Sequence, residues 1–212
     1  MRWMRTSNAR GGFTLIELLG VIVIVSILMY FLITRLSGVD ETVKIRVARQ
    51  KIEQIAAELA DYEVDKGDYP RSTFRTEWGQ PPNNLNVGCE ALYLALWQKG
   101  IDGAGLGEDL LGNHDGDATT KRLTVNASLD LFELQDPWKN PLAYFHHADY
   151  GRKDRCTSSQ PDDGEALESE LTAKKSAKTG NWFNPQTFQL ISAGPDALFG
   201  TEDDIGNFDS GS

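Results

Sequence analysis

The apolar positions of this chain follow two regimes within its first 66 residues. From Phe13 to Thr34 they run almost without interruption, broken by a single formal charge at Glu17. At about 1.5 Å per helical residue this run is about 33 Å long, the thickness of a bilayer core, so a membrane-spanning helix is expected over 13–36. Further on, Leu36, Val39, Val43, Val47, Ile52, Ile55, Leu59 and Tyr62 recur mostly at three- and four-residue steps. Lys44, Arg46, Arg49, Glu53, Glu58 and Glu63 fall largely between them. That pattern is one apolar stripe on a solvated helix. No proline intervenes before Pro70, and Gly67 is a natural stop. The two regimes therefore predict one helix of about 80 Å, with 37–66 its amphipathic continuation. Gly20 and Ser26 are small enough to let a neighbouring helix approach.

The remainder, 67–212, reads as one globular domain. Residues 68–88 carry Pro70, Pro81 and Pro82 and predict a loop. Cys89 to Lys99 predicts a short amphipathic helix with Leu92, Leu96 and Trp97 apolar, ended by Gly100. Residues 100–130 are rich in glycine and acids. Asn113-His114-Asp115-Gly116-Asp117 resembles a calcium loop, but Ala118 and Thr124 stand where an EF-hand needs glycine and glutamate, so a solvated insertion is expected. Asp136-Pro137-Trp138-Lys139-Asn140-Pro141 is a turn by its own chemistry, leading into a strand over 142–146. His146 and His147, adjacent on that strand, would face opposite ways and not share an ion. The polar stretch 151–181 predicts a mobile insertion, and Phe188-Gln189-Leu190-Ile191-Ser192 a further strand.

Charge then sets the orientation. The chain has 21 basic and 31 acidic residues, a formal −10, and Arg2, Arg5 and Arg10 all precede the apolar run. By the positive-inside rule that flank is cytoplasmic and the globular part lies outside. Such an acidic surface repels nucleic acid, which is not expected as a partner, and favours divalent cations. No Gly-x-Ser-x-Gly elbow, P-loop or zinc-helix motif occurs, so no catalytic role is expected. A secretory signal would place small residues after its apolar core; here Gly11-Gly12 precede it.

A basic head, Gly12, then Phe13-Thr14-Leu15-Ile16-Glu17 is similar to the leader of type IV pilins and of the pseudopilins of type II secretion, above all the major, G-type pseudopilin. The resemblance covers roughly 8–70, 136–146 and 188–208. It implies an α+β, pilin-like fold: a long N-terminal helix packed on a small antiparallel sheet with loop insertions. It also implies that a prepilin peptidase cuts after Gly12, removing leader 1–12 and methylating the new amine of Phe13. Glu17 is then the assembly residue. A carboxylate in a span costs about 2.5 to 3.5 kcal/mol, and the amine of Phe13 on a neighbouring copy would be its counter-charge. The implied partners are further copies of the chain, minor pseudopilins, the inner-membrane secretion platform and membrane lipid. The implied location is the inner membrane, single-pass with a periplasmic C-terminal domain, and after assembly a periplasmic pseudopilus.

The acidic end loop, 190–208, matches the calcium loop of the major pseudopilin almost residue by residue. Alignment gives Asp196, Asp203 and Asp204 as carboxylate ligands of a structural Ca2+, with Ser192 and the Leu190 carbonyl completing the shell. Ala197 and Lys139 stand where the family has glycine, and Thr34 where it often has proline. Cys89 and Cys156 fit an oxidising compartment and, bridged, would close a loop worth roughly 4 kcal/mol; two free thiols are the alternative. Two other functions stay open: a type IV pilus or competence pilin, kept alive by that cysteine pair, and a membrane-tethered periplasmic enzyme or binding module.

Overall fold

The computed structural model describes residues 14–98, 105–159 and 166–208, with the side chains of 31–40 left out. Leader 1–12 and Phe13 lie outside the described residues. The chain divides into two units, 1–42 and 43–212. Helix α1 runs from Leu15 to Lys66. In the first unit its described apolar side chains are all exposed, from Leu15 at 82% to Val23 at 49%. Apolar side chains exposed all round a helix form the kind of surface that lipid or another subunit covers. A Cβ on Gly20 would meet nothing within 4 Å, so packing inside the chain does not require glycine there. Among the described residues no helix is long and apolar enough to cross a membrane. The side chains that would complete the expected span belong to 31–40.

In the second unit α1 supplies the core stripe. Ala48, Ile52, Ile55, Leu59 and Tyr62 are buried, four and three residues apart. Ala48 rather than Val43 or Val47 opens the stripe, and Val43 is exposed. Gly67 ends the helix at φ 82°, its N–H donating to the Glu63 carbonyl at 2.7 Å. A left-handed residue is what this termination needs, and glycine takes it without steric cost.

Helix α2, Val87–Leu96, begins earlier than expected and is buried on every side from Gly88 to Leu96. It is thus a core helix, not an amphipathic one, and one of its buried residues is Glu90. The sheets are small and antiparallel. Short strands β1 (Leu111–Gly112) and β2 (Glu133–Leu134) pair with each other. Strand β3 (Ala143–His146) pairs with β6 (Phe188–Ser192), Tyr144 opposite Leu190, and β6 pairs with β7 (Ile205–Gly206). Both longer strands of that sheet are where the apolar runs put them. The whole is α+β: a long N-terminal helix, a buried second helix and small antiparallel sheets.

The polar stretch 151–181 differs from expectation. Strands β4 (Asp154–Ser159) and β5 (Ala166–Leu171) form a six-pair antiparallel ribbon. Its exposed face carries the cross-strand pairs Arg155–Glu168 and Lys153–Glu170, and Cys156, Ser158 and Leu171 turn inward. Segment 100–130 is also less solvated than its glycines suggested, since Leu106 and Leu110 join the core.

Candidate functional site

Three places on this framework carry chemistry. The first opens α1. Thr14 precedes the helix; its N–H and its hydroxyl both donate to Glu17 Oε2 at 2.8 Å, and the Glu17 N–H returns a bond to Thr14 Oγ1 at 3.2 Å. This is a reciprocal capping box, Thr-x-x-Glu, which satisfies donors that a helix start otherwise leaves open. Glu17 thus already has a local task. The Thr-x-x-Glu spacing of 14–17 is the sequence signal for that task. Gly12 and Phe13, the processing residues, lie outside the described residues.

The second is the acidic end loop, 190–208. Gly194 turns the chain at φ 69°, and a Cβ there would collide with the Asp203 carbonyl. Asp196 and Asp203 are brought together: the Asp196 N–H donates to Asp203 Oδ2 at 3.2 Å, and Thr201 Oγ1 donates to Asp203 Oδ1. The other expected ligands are engaged elsewhere. Ser192 Oγ donates to Asp136 Oδ2 at 2.6 Å, and the Leu190 carbonyl accepts from the Asn207 N–H. Asp204 turns inward, where its Oδ2 accepts from the Gly200 N–H at 2.9 Å and is ion-paired with Lys174. Burial pushes the Asp204 carboxyl above its ordinary range; Lys174 acts against that. Lys174 Nζ also donates to the Thr201 carbonyl at 3.3 Å. The carboxylates of 196, 203 and 204 do not come within 4.8 Å of one another as a set. Calcium takes six to eight converging oxygens, and the side-chain oxygens of these residues stand apart as placed. The ammonium group of Lys174 offsets the Asp204 charge, and it comes from the stretch expected to be a mobile insertion.

The third place was not anticipated as a site. Glu90 on α2 meets Asp115 and Asp117 from the loop after β1, with one oxygen from each within 4.8 Å of the others. Burial first, then the carboxylates of Asp117 and Asp115, push the Glu90 carboxyl up to about 11. Burial and Asp115 push Asp117 up to about 7. The acidic loop was legible in the sequence, but the glutamate facing it sits 25 residues away in an otherwise apolar helix.

The histidine pair is a correction. The chain leaves β3 at His146 and enters a 3-10 turn, His147–Asp149, so the strand alternation ends between the two rings and their centroids lie 4.1 Å apart. His146 is nevertheless fully used. Its Nδ1 accepts from the Ala148 N–H and its Nε2 faces Asp68 Oδ1 at 3.2 Å. Cys89 and Cys156 are both buried free thiols, so the alternative to a bridge is the state seen. Burial pushes both thiols well above their ordinary range, and Cys89 Sγ donates to the Leu134 carbonyl at 3.6 Å.

The prokaryotic N-terminal methylation motif matches residues 7–31, which take in the glycine-ended basic head and the capped start of the apolar helix. Along most of its length the chain is similar to "Type II secretion system core protein G" of two bacteria. The Escherichia coli protein is 25% identical over 205 residues, 97% of this chain and 95% of the relative. The Pseudomonas aeruginosa protein is 29% identical over 175 residues, 82% and 96%. By motif and by these likenesses the chain is similar to type II secretion core protein G. The crystal structure of the major pseudopilin from the type 2 secretion system of enterohaemorrhagic Escherichia coli aligns with 81% of this chain and 92% of its own at 14% identity. Its TM-score is 0.32.

Proposed function

We propose that this chain is a structural subunit, not an enzyme, of a periplasmic pseudopilus that polymerises from the inner membrane to support type II protein secretion. The observation that carries this is the start of α1: a capping box closed by Glu17 opens a helix whose described apolar side chains are exposed on every face. Similarity to protein G over nearly the whole chain supports it. On this reading leader 1–12 is removed after Gly12, Phe13 is methylated, 13–36 is the membrane and assembly segment, and other pseudopilins and lipid surround it.

The test is at the N-terminus. Mass spectrometry of the protein from its native membrane should find a methylated phenylalanine as first residue, and Gly12 substitutions should leave the chain uncut and unassembled. Glu17→Gln separates the two tasks of that acid, because glutamine can also close a capping box but carries no charge. It should insert and be processed normally yet fail to polymerise. Normal filaments from Glu17→Gln would reduce Glu17 to a helix cap.

For the end loop we propose that Lys174 is the resident cation and that Ca2+ binds only in competition with it for Asp204. Asp204 Oδ1, buried and without a hydrogen-bond partner, supports a vacant acceptor there.

A further inference from the structure

The carboxylates of Glu90, Asp115 and Asp117 stand together without compensation. Glu90 is 0% exposed, and neither of its carboxylate oxygens has a hydrogen-bond partner. Asp117 Oδ1 is likewise buried and unpartnered. Among the described residues the nearby cationic side chains are taken by other acids: His114 faces Glu133 at 3.3 Å and Arg152 pairs with Asp154 at 2.9 Å. Three carboxyl groups this close in a buried site cannot all be ionised unless a cation or shared protons offset their charge.

The surroundings hold the cluster open. Asn113 Nδ2 donates to the Asp117 carbonyl at 2.8 Å, and the Gly116 N–H donates to Asn113 Oδ1 at 2.8 Å, fixing the loop. Asn83 Oδ1 accepts from the Leu85 N–H, which fixes the amide with its NH2 toward the acids. That NH2 donates to Asp115 Oδ2 at 3.0 Å and Asp117 Oδ2 at 3.2 Å. The outer oxygens are thus anchored from one side, while Asp117 Oδ1 and both oxygens of Glu90 stay free.

We propose that Glu90, Asp115 and Asp117 bind one calcium ion, separate from the end loop, that ties helix α2 to the 113–117 loop. Oxygens bound to calcium at about 2.3 to 2.6 Å lie up to about 5 Å apart across the ion, which the 4.8 Å grouping fits. An all-carboxylate set without nitrogen or sulfur selects a hard cation, and the tolerant geometry of calcium suits ligands from a helix and a loop better than the strict octahedron of magnesium. Two aspartates bracketing Gly116 supply the loop half, and Glu90 supplies the buried half.

The test is calcium titration calorimetry on the full chain in detergent, with thermal unfolding in calcium and in chelator. Asp196→Ala, in the end loop whose carboxylates do not converge as a set, should bind calcium like the unaltered chain. Asp115→Asn and Asp117→Asn should each lose about tenfold or more in affinity while keeping the circular dichroism of the parent. Glu90→Gln should lose binding too, yet in chelator it should melt no lower than the parent, since a buried amide needs no counter-ion. The proposal is overturned if Asp115→Asn and Asp117→Asn bind as the parent does. It is equally overturned if the parent melts alike in calcium and chelator, which would mean that the three acids share protons instead. Magnesium binding more tightly than calcium would overturn the choice of ion. The readout is binding, so a failure to form filaments would bear on the proposed function and not on this site.

Discussion

Lys139 and Ala197 sit in left-handed backbone, at φ 69° and 57°, where the resembled family has glycine. A side chain there costs roughly 1 to 2 kcal/mol. At Lys139 the side chain is exposed and what the turn uses is backbone: its N–H donates to the Asp136 carbonyl at 3.1 Å, and its own carbonyl faces His114 Nε2 at 2.7 Å. Lys139→Gly should therefore stabilise the protein by about 1 kcal/mol, raising the melting temperature by about 2 to 4 °C. Ala197 is fully buried, so glycine there would relieve the same strain but give up a buried methyl worth about 0.8 kcal/mol. Ala197→Gly should be nearly neutral. Paired melting curves of the two variants check both expectations, and a destabilised Lys139→Gly would show that the turn depends on the lysine side chain.

Among the elements, the end loop is held by a residue from a different segment. Lys174 is placed beyond β5 by the exchange of its backbone with Gln189, whose Oε1 accepts the Lys174 N–H at 2.6 Å and whose Nε2 donates to the Lys174 carbonyl at 3.0 Å. From there its ammonium reaches Asp204 and the Thr201 carbonyl. Lys174→Met should lower the melting temperature in chelator and make the loop calcium-dependent, because Asp204 is then a buried acid without a cation. Measured in an Asp117→Asn background, which takes the other acidic cluster out of play, calcium should restore most of the loss. If calcium restored nothing, the end loop would not be a calcium site even with Lys174 removed.

On the scale of the folded domain, pH acts through contacts that tie distant segments. Asp149, after β3, accepts from Arg71 Nη2 at 2.5 Å, Arg71 Nε at 3.1 Å and Ser72 Oγ at 3.0 Å, closing the turn that follows α1. Burial opposes its charge, yet Arg71 and Ser72 hold its carboxyl below the ordinary 3.8. A carboxyl with a lowered folded-state pKa stabilises fully above its unfolded value, and that contribution disappears as pH falls through the folded value. Stability measured by denaturant below about pH 4 should therefore drop less steeply with acid in Asp149→Asn than in the parent. The variant should also be less stable at neutral pH, where Arg71 loses its partner. An identical acid limb in both proteins would remove Asp149 from the account.

The sequence by itself determined what is local and periodic. A 3.6-residue stripe laid down α1 and its stop at Gly67, short mainly apolar runs buried at every position laid down β3 and β6, and Thr14-x-x-Glu17 carried its own cap. The ribbon β4–β5 was hidden because its alternation is among polar residues, where inward Cys156 and Ser158 look no different from a solvated loop. Only tertiary structure decided where the charges end up. Lys174 reaches Asp204 across 30 residues, and Glu90 faces Asp115 and Asp117 because α2 is buried on all sides and the 113–117 loop folds over it. Electrostatic partners are chosen by distance in space and by exclusion of water. Neither can be read from spacing along a chain, whereas helix and strand periods can, since they are fixed by the backbone itself.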